Sequence, residues 1–571
     1  MIVPCSPRVL THTLPLLACA CVLCAAELPI PSTPNPGLKY YYPVPPSAQP
    51  QSIRADIAVY GGTPAGVGAA VQAARSGKSV AFAVFRRNVG GMTSAGLTAV
   101  DLGKRESIGG IAAEFLNRMG KWSGFDSDTA EQTFRALLAE AKVPVYFEHR
   151  LAKVEKDGNR ITALVFENGN RIEAKEFIDA TYEGDLLARA GVSYTVGRED
   201  NAQYGETWNG YFIADKHQFK FRVDPYRVPG DPASGLLPGI SPEPARARGA
   251  GDKRIQAYNF RMWLTSAGEG APFPMPADYN PADYALLLRY LTTQPGFVWD
   301  FAYHSGPIKL NRGDCNSAGP VSTDFVGGAD HWPEADYAAR EKIFQAHVTY
   351  QQGMMYFLAN DPQVPEKIRA FVKRFGLPKN QFPETGGWPQ ELYVREGRRM
   401  VSDYVMTEHN CTGKTVPEDS VGLASYTMDS HHTSRVVIDG AVMAEGNVEV
   451  KVPRPYPISY RSILPKRAEA SNLLVPVALS STHIAFGSIR MEPVFMLLGQ
   501  SAALAACIAI DENLPVQDIP YLRLRAKLIG VNQKLEWTAE DQARAQASAK
   551  TAAKKKAHAK EKVDAPGAPA Q

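Results

Sequence analysis

Apolar residues along this chain fall into blocks with different periods. Residues 57–60 form a short apolar run that stops at a glycine pair. Residues 65–75 follow as an alanine-rich stretch, and residues 80–85 form a second apolar run. The order is strand, turn, helix, strand. Further on, residues 129–141 read as a helix and residues 143–147 as a strand. Residues 161–166 and 171–178 alternate apolar with polar and are joined through Asn168 and Gly169, a hairpin signal. The second of these runs into FIDATYEGD, ending at Asp185. A strand end followed by small and acidic residues is a ligand-facing edge in parallel α/β sheets. Between about residues 200 and 425 the regular pattern dissolves into dense prolines and aromatics. It returns over about 460–515, with a long apolar, small-residue helix expected after Gly487 and Ser488.

The first turn carries specific chemistry. Gly61 and Gly66 occupy the first and third positions of G-x-G-x-x-G, with Gly62, Thr63, Pro64 and Ala65 between them. The first glycine permits a tight turn off the strand, and the third lets the helix pack close to the sheet. The helix then starts with free backbone N–H groups aimed at a pyrophosphate. Thr63 replaces the middle glycine, and its hydroxyl is expected to help hold a phosphate. In isolation the stretch reads equally well as a structural turn.

A second glycine-rich loop, Gly90, Gly91, Met92, Thr93, Ser94, Ala95, Gly96, follows the second strand. It suits a cofactor whose pyrophosphate and flavin end both need close backbone approach. The helix after Gly487 and Ser488 would point a positive dipole end at the flavin pyrimidine; a plain buried helix explains it as well. With FIDATYEGD, Ser322-Thr323-Asp324, LYVREGRR (392–399), YTMDSH (426–431) and GSIRMEP (487–493), these pieces span roughly 55–530. The set resembles the FAD-dependent oxidoreductase family of bacterial glutathione-reductase-like flavoproteins, some of whose relatives carry sugar-processing labels such as xanthan lyase. The resemblance implies an α/β fold: an FAD/NAD(P)-binding Rossmann-like domain, glutathione-reductase-like, with an inserted α+β substrate domain. It implies FAD contacts at Gly61, Gly62, Thr63, Pro64, Ala65, Gly66, Arg87, Gly90, Gly91, Met92, Thr93, Ser94, Ala180, Thr181, Glu183, Gly184, Asp185, Gly487, Ser488 and Met491. One place departs from the pattern. The acidic residue that binds the adenosine ribose at the end of the second strand falls at Val84, followed by Phe85, Arg86 and Arg87. Either a backbone group or water serves the ribose, or affinity is reduced; the arginines meet a phosphate or lie in solvent.

Composition then sets bounds. The 571 residues are 44% hydrophobic and 21% charged, enough for a large core and two domains. A net charge of +3 makes no case for a nucleic-acid partner. Residues 1–26 read as a signal peptide, with Arg8 before an apolar run and Ala25 and Ala26 before Glu27. The expected location is periplasmic or secreted, with lipoprotein processing at Cys19 as the alternative. Gly499, Gln500 and Ser501 interrupt the apolar stretch 494–510, so no stable membrane insertion is expected. The expected organisation is a Pro/Tyr-rich lead-in over 27–52, FAD-binding segments over 53–200 and 426–537, a substrate domain over 201–425 and a disordered Ala/Lys-rich tail over 538–571. Outside the signal only Cys315, Cys411 and Cys507 remain. Either one bridge, Cys315 to Cys411, or three free thiols is expected, and no C-x-x-C pair supports a dithiol or a metal knuckle.

Flavin carries the redox chemistry, so the protein must place a C–H bond and manage a proton. His431 and His432, just after Asp429 and Ser430, are the expected bases, with Asp429 orienting one ring. Adjacent histidines pointing apart are the bland alternative. His483 and Arg490 are further catalytic candidates, with a buried structural histidine and an Arg490–Glu492 ion pair as the alternatives. Arg395, Glu396, Arg398 and Arg399 are a substrate clamp if buried and a charged face if exposed, with Glu396 and Arg399 pairing at helical spacing. Asn311, Asn316 and Asp324 lie in a polar loop suited to a hydroxyl-rich substrate. The expected function is hydride transfer from a small alcohol, sugar or amine to non-covalent FAD. A carbohydrate lyase or hydrolase, or a carbohydrate-binding envelope protein, is the alternative. No second G-x-G-x-x-G unit marks a nicotinamide site.

Overall fold

The computed structural model describes residues 37–564, apart from 121, 123, 267 and 295–312; for 313–314 and 552–564 it describes backbone alone. The expected signal peptide and Asn311 lie outside the described residues. Strand β1, Ser52–Tyr60, runs into the glycine turn and helix α1, Pro64–Arg75. Thr63 caps α1 by accepting the N–H of Gly66 at 3.3 Å, and proline occupies the first helical turn where its missing N–H costs nothing. Strand β2 is Val80–Ala83, and a helix over Ser127–Glu140 leads to β3, Val145–Tyr146. Strands β4, Leu151–Asp157, β5, Arg160–Phe166, and β6, Arg171–Asp179, follow as an antiparallel meander.

These strands form one sheet in the order β3-β2-β1-β6-β5-β4, and Leu473–Leu474 joins β6 as a seventh strand. The pairings β3–β2, β2–β1, β1–β6 and β6–Leu473–Leu474 are parallel. Their carboxyl ends therefore all point one way. The residues that follow Tyr60, Ala83 and Asp179 meet at that edge, where ligands bind in such sheets. Residues 57–60 and 80–83 are buried throughout, as the unbroken apolar runs require of strands covered on both faces.

Helix α1 crosses the long helix Glu492–Glu512. A Cβ at Gly499 would fall within van der Waals overlap of the Ala65 backbone, 2.7 Å from its carbonyl carbon, so the two helices touch backbone to backbone. Gln500 bonds Gln72 across the contact at 2.7 Å. The apolar window of this helix is 94% buried, which makes it a core helix. It does not begin at Gly487 and Ser488 as expected. Those two residues lie inside a separate helix, His483–Ile489, and the chain breaks at Arg490 and Met491 before restarting at Glu492.

The inserted region is mixed α and β. It holds a three-stranded antiparallel sheet with Met262–Ser266 between Gly313–Cys315 and Phe375–Gly376, and the 24-residue helix Tyr337–Asn360. The lead-in packs onto the rest of the molecule: Leu38 and Tyr40 are buried, and the N–H groups of Tyr40 and Tyr41 donate to Glu341 at 2.7 and 2.8 Å. The segment expected as a disordered tail is helical over Ala539–Asp564, because alanine and lysine are strong helix formers. Cys315, Cys411 and Cys507 are all free and buried, so the bridge does not form.

Candidate cofactor site and active-site cavity

The carboxyl ends of β1, β2 and β6 open into a pocket lined by Gly61, Gly62, Val84, Thr181, Glu183 and Glu391, among others. Gly61 has φ of +119°, and a side chain there would strike the Ala180 backbone at 2.5 Å. Only glycine fits this turn. The N–H groups of Gly62 and Thr63 have no partner among the described residues. They sit at the start of α1, so the turn offers the donors and the close backbone approach that a pyrophosphate needs. The Thr63 hydroxyl is not one of those donors. It donates to Ala180 O at 2.7 Å while capping the helix, which ties the turn to the end of β6.

The second loop is knitted onto the first. Gly90 and Gly91 donate N–H bonds to Gly62 O at 2.7 and 3.2 Å. Met92 N–H donates to the Tyr182 hydroxyl at 3.0 Å. Thr93 donates to Glu492 through its N–H at 3.2 Å and its hydroxyl at 3.0 Å, and Tyr182 donates to the same carboxylate at 2.7 Å. Ser94 closes the loop on Val89 O at 2.6 Å. Burial pushes the Glu492 carboxyl up to about 7. Asp185 lines the strand-end pocket, paired with Arg340 at 2.7 Å and Arg398 at 3.0 Å; burial works upward on its carboxyl, but these arginines hold it well below the usual range. Arg87 stands apart. It pairs with Glu148 at 3.0 Å and is 71% exposed.

A second, polar cavity of about 400 Å³ lies across the start of helix Glu492–Glu512, where Met491 lines it. His431, His432, Asp324, Asp429, Tyr393 and Arg490 contribute to its wall. His431 places Nδ1 2.7 Å from Asp324 Oδ2 and 3.2 Å from Ser317 Oγ, with Nε2 3.6 Å from Asp429. Its ring keeps 18% of its surface open. Asp324 is held in turn by Arg395 at 3.0 Å. Burial raises the Asp324 carboxyl, yet Arg395 and His431 outweigh it and keep the group ionised far into acid. His431 is lowered by burial and by Arg395, with Asp324 opposing. His432 is pushed down to about 3 by burial and then by Arg435, so it stays neutral. Arg490 pairs with Asp429 at 2.7 Å rather than with Glu492, and reaches the Tyr393 hydroxyl at 3.2 Å.

His483 is enclosed behind the cavity wall. Its Nδ1 meets Glu396 at 2.7 Å and its Nε2 meets Ser430 Oγ at 3.1 Å. Both ring nitrogens are thus committed within the protein. Gln256 links this network to the cavity: its amide donates to Glu396 at 2.8 Å and its carbonyl accepts from His431 N–H at 3.2 Å. Gly487 packs against the Asp429 backbone, and Ser488 donates to Tyr426 O at 2.6 Å. Both therefore shape the Asp429–His431 segment. Glu396 and Arg399 do pair, at 2.8 Å, but in a loop that enters a short strand rather than on a helix. Arg395, Arg398 and Arg399 are all buried and paired with Asp324, Asp185 and Glu199. They do not form an exposed charged face. Asn316 lines the cavity beside Ser317.

Sequence reasoning missed Asp324 as the carboxylate on His431, assigning that place to Asp429. The Ser-Thr-Asp motif was visible, but the contact joins residues 107 positions apart. It also missed Glu391 and Tyr40 at the strand-end pocket, for which no local signal exists. Among the described residues no group of three metal-ligating side chains occurs.

None of the curated proteins compared matches this chain. The solved structures it resembles include Thermovibrio ammonificans THI4, 22% identical over 25% of this chain and 64% of that one, with a TM-score of 0.21. Aquifex aeolicus GidA is 15% identical over 26% of this chain and 34% of that one, with a TM-score of 0.20. Thioredoxin reductase from Streptococcus pyogenes is 25% identical over 22% of this chain and 35% of that one, with a TM-score of 0.17. The chain spans less than two thirds of each of these structures, and at such TM-scores the family rests on sequence. The sequence model described as FAD dependent oxidoreductase matches residues 56–528, a span that holds the glycine turn, the second loop and the histidine cavity. The strand-end cradle fits the dinucleotide that this match implies, and the chain belongs to the FAD dependent oxidoreductase family.

Proposed function

We propose that this is an exported flavoenzyme that holds FAD non-covalently and oxidises a small polar substrate, an alcohol, sugar or amine, by hydride transfer to flavin N5. FAD, when bound, supplies the hydride acceptor. Gly61 to Gly66 and the loop from Gly90 to Ser94 would hold it. The loop from Gly90 to Gly96 carries no histidine or cysteine to which a flavin could be joined, which supports the non-covalent reading.

One observation carries the catalytic reading: His431 stands between Asp324 and Asp429 on the wall of a polar cavity. Asp324 at 2.7 Å fixes the ring with its proton on Nδ1. Nε2 is then free to take a proton from a substrate hydroxyl or amine. The cation formed lies between two carboxylates, which lowers its cost in a buried site. Arg490 and Tyr393 present donors to a substrate oxygen while Asp429 holds Arg490 in place. A small molecule is the expected partner; neither nucleic acid nor membrane is part of this reading. Export rests on residues 1–26 alone, and N-terminal mass analysis of secreted protein tests it.

The test is anaerobic mixing of the purified enzyme with sugars, alcohols and amines while the flavin absorbance is followed. An oxidised substrate bleaches the flavin. Replacement of His431 by Gln should slow bleaching about 10²- to 10⁴-fold and leave FAD in place. Bleaching at the wild-type rate in that variant removes His431 as base. Turnover of a carbohydrate with the flavin unbleached favours a lyase or hydrolase.

A further inference from the structure

The end of β2 lacks the acid that usually holds the nucleotide ribose: Val84 and Phe85 stand there, and Val84 is fully enclosed. The next residue, Arg86, lines the same pocket. Its side chain is mostly buried. Its Nε lies 3.1 Å from Oε1 of Glu391, and its guanidinium donates to Gln390 O at 3.0 Å. It also lies over the rings of Tyr40 and Phe344. Arg86 therefore fastens a loop of the inserted region onto the strand end. The loop brings a carboxylate into a pocket whose own strand supplies none.

We propose that Glu391, held by Arg86, is the carboxylate that binds the ribose hydroxyls of the FAD nucleotide half in this chain. The inference rests on the FAD reading above. Three features fit it. Glu391 lines the pocket together with Gly61, Gly62 and Val84, the residues that flank a dinucleotide's phosphates and ribose in this fold. Its side chain is 21% exposed, so it faces the pocket rather than bulk water. Only one of its oxygens is engaged by Arg86, and a carboxylate accepts several bonds. Burial also raises this carboxyl, with Arg86 opposing; two hydroxyl donors would stabilise its charge. Glu183 and Asp185 are the other carboxylates lining the pocket; both follow β6 rather than β2, and Asp185 is paired with Arg340 and Arg398. Arg86 is on this account a positioning residue, and Glu391 the one that touches the nucleotide.

The experiment uses the flavin-free full-length protein and measures binding of ADP, 2′-deoxy-ADP and 3′-deoxy-ADP by calorimetry. Wild type should bind ADP about 10- to 100-fold tighter than at least one deoxy analogue. Glu391→Gln should weaken ADP by a similar factor and bind all three alike, with its melting temperature unchanged. Arg86→Gln should shift ADP in the same direction. If Glu391→Gln does not fold, Glu391→Asp, which keeps the charge and retracts it, gives the same reading. The proposal is overturned if Glu391→Gln keeps the wild-type preference for hydroxyls, if wild type has none, or if the preference follows Glu183→Gln. A wild-type protein that takes up FAD but shows no hydroxyl preference sinks this inference alone; one that takes up no FAD sinks the functional reading with it.

Discussion

His431 and His432 are neighbours with opposite fates, and the difference is one of partners. His431 faces Asp324 across 2.7 Å, while His432 is buried beside Arg435 with no carboxylate bonded to it among the described residues. Adjacency was legible in the sequence; which ring would meet a carboxylate was not, because Asp324 arrives from another part of the chain. On the proposed reading, the active form of His431 is the neutral base. Burial lowers its folded-state value below the ordinary 6.5, so kcat/KM should be flat above that pH and fall only as pH drops below it. An acid limb above 6.5 would contradict this. Asp324→Asn should slow flavin reduction on the order of 10²-fold by releasing the tautomer. It should also shift the acid limb downward, because the counter-charge is gone. Glu176 offers a stability test away from the site. Burial raises it to about 8, opposed by Arg160. A raised carboxyl contributes its stability below the unfolded value near 4.3 and loses it as pH rises through about 8. Glu176→Gln should therefore stabilise the protein on the order of 1–3 kcal/mol at pH 9 and change little at pH 4, read by thermal melts.

At the scale of elements, the strand-turn-helix-strand opening was readable because its signals are local: apolar runs, a glycine turn and a proline at the helix start. The break before helix Glu492–Glu512 had a signal too. Pro493 lacks an N–H and opens a helix rather than continuing one. The apolar character of both neighbouring stretches hid it. Glu396 and Arg399 show the reverse case: the pair forms, but three-residue spacing brings these side chains together in a loop outside any helix. The crossing of α1 with helix Glu492–Glu512 decides how firmly the cofactor turn is held. Gly499→Ala would push a methyl into the Ala65 backbone and force the helices apart. A loss of about 1–3 kcal/mol in denaturant melts and weaker FAD retention are expected together. Unchanged FAD affinity in a destabilised Gly499→Ala protein would separate the crossing from the site.

Across the whole molecule, the α/β class of the dinucleotide-binding fold was legible, while the order of its strands and the contacts between distant segments were not. Tyr40, Arg86 and Glu391 meet from three parts of the chain, and no periodicity encodes such a meeting. The lead-in illustrates it. Its prolines read as an extended strap, yet Tyr40 packs on Phe85, Trp332 and Phe344 at the mouth of the cofactor pocket. Tyr40→Ala should cost about 3 kcal/mol as a buried aromatic and speed FAD loss on dilution. A variant that melts early but holds FAD as wild type does would show the strap to be structural only. The most direct measurement of the whole account is the visible spectrum of the purified protein, before and after denaturation and filtration. Flavin bands that pass into the filtrate are the result predicted by the proposed non-covalent binding of FAD. A colourless protein that cannot be reconstituted with FAD would contradict the account, and flavin retained on the denatured chain would contradict its non-covalent part.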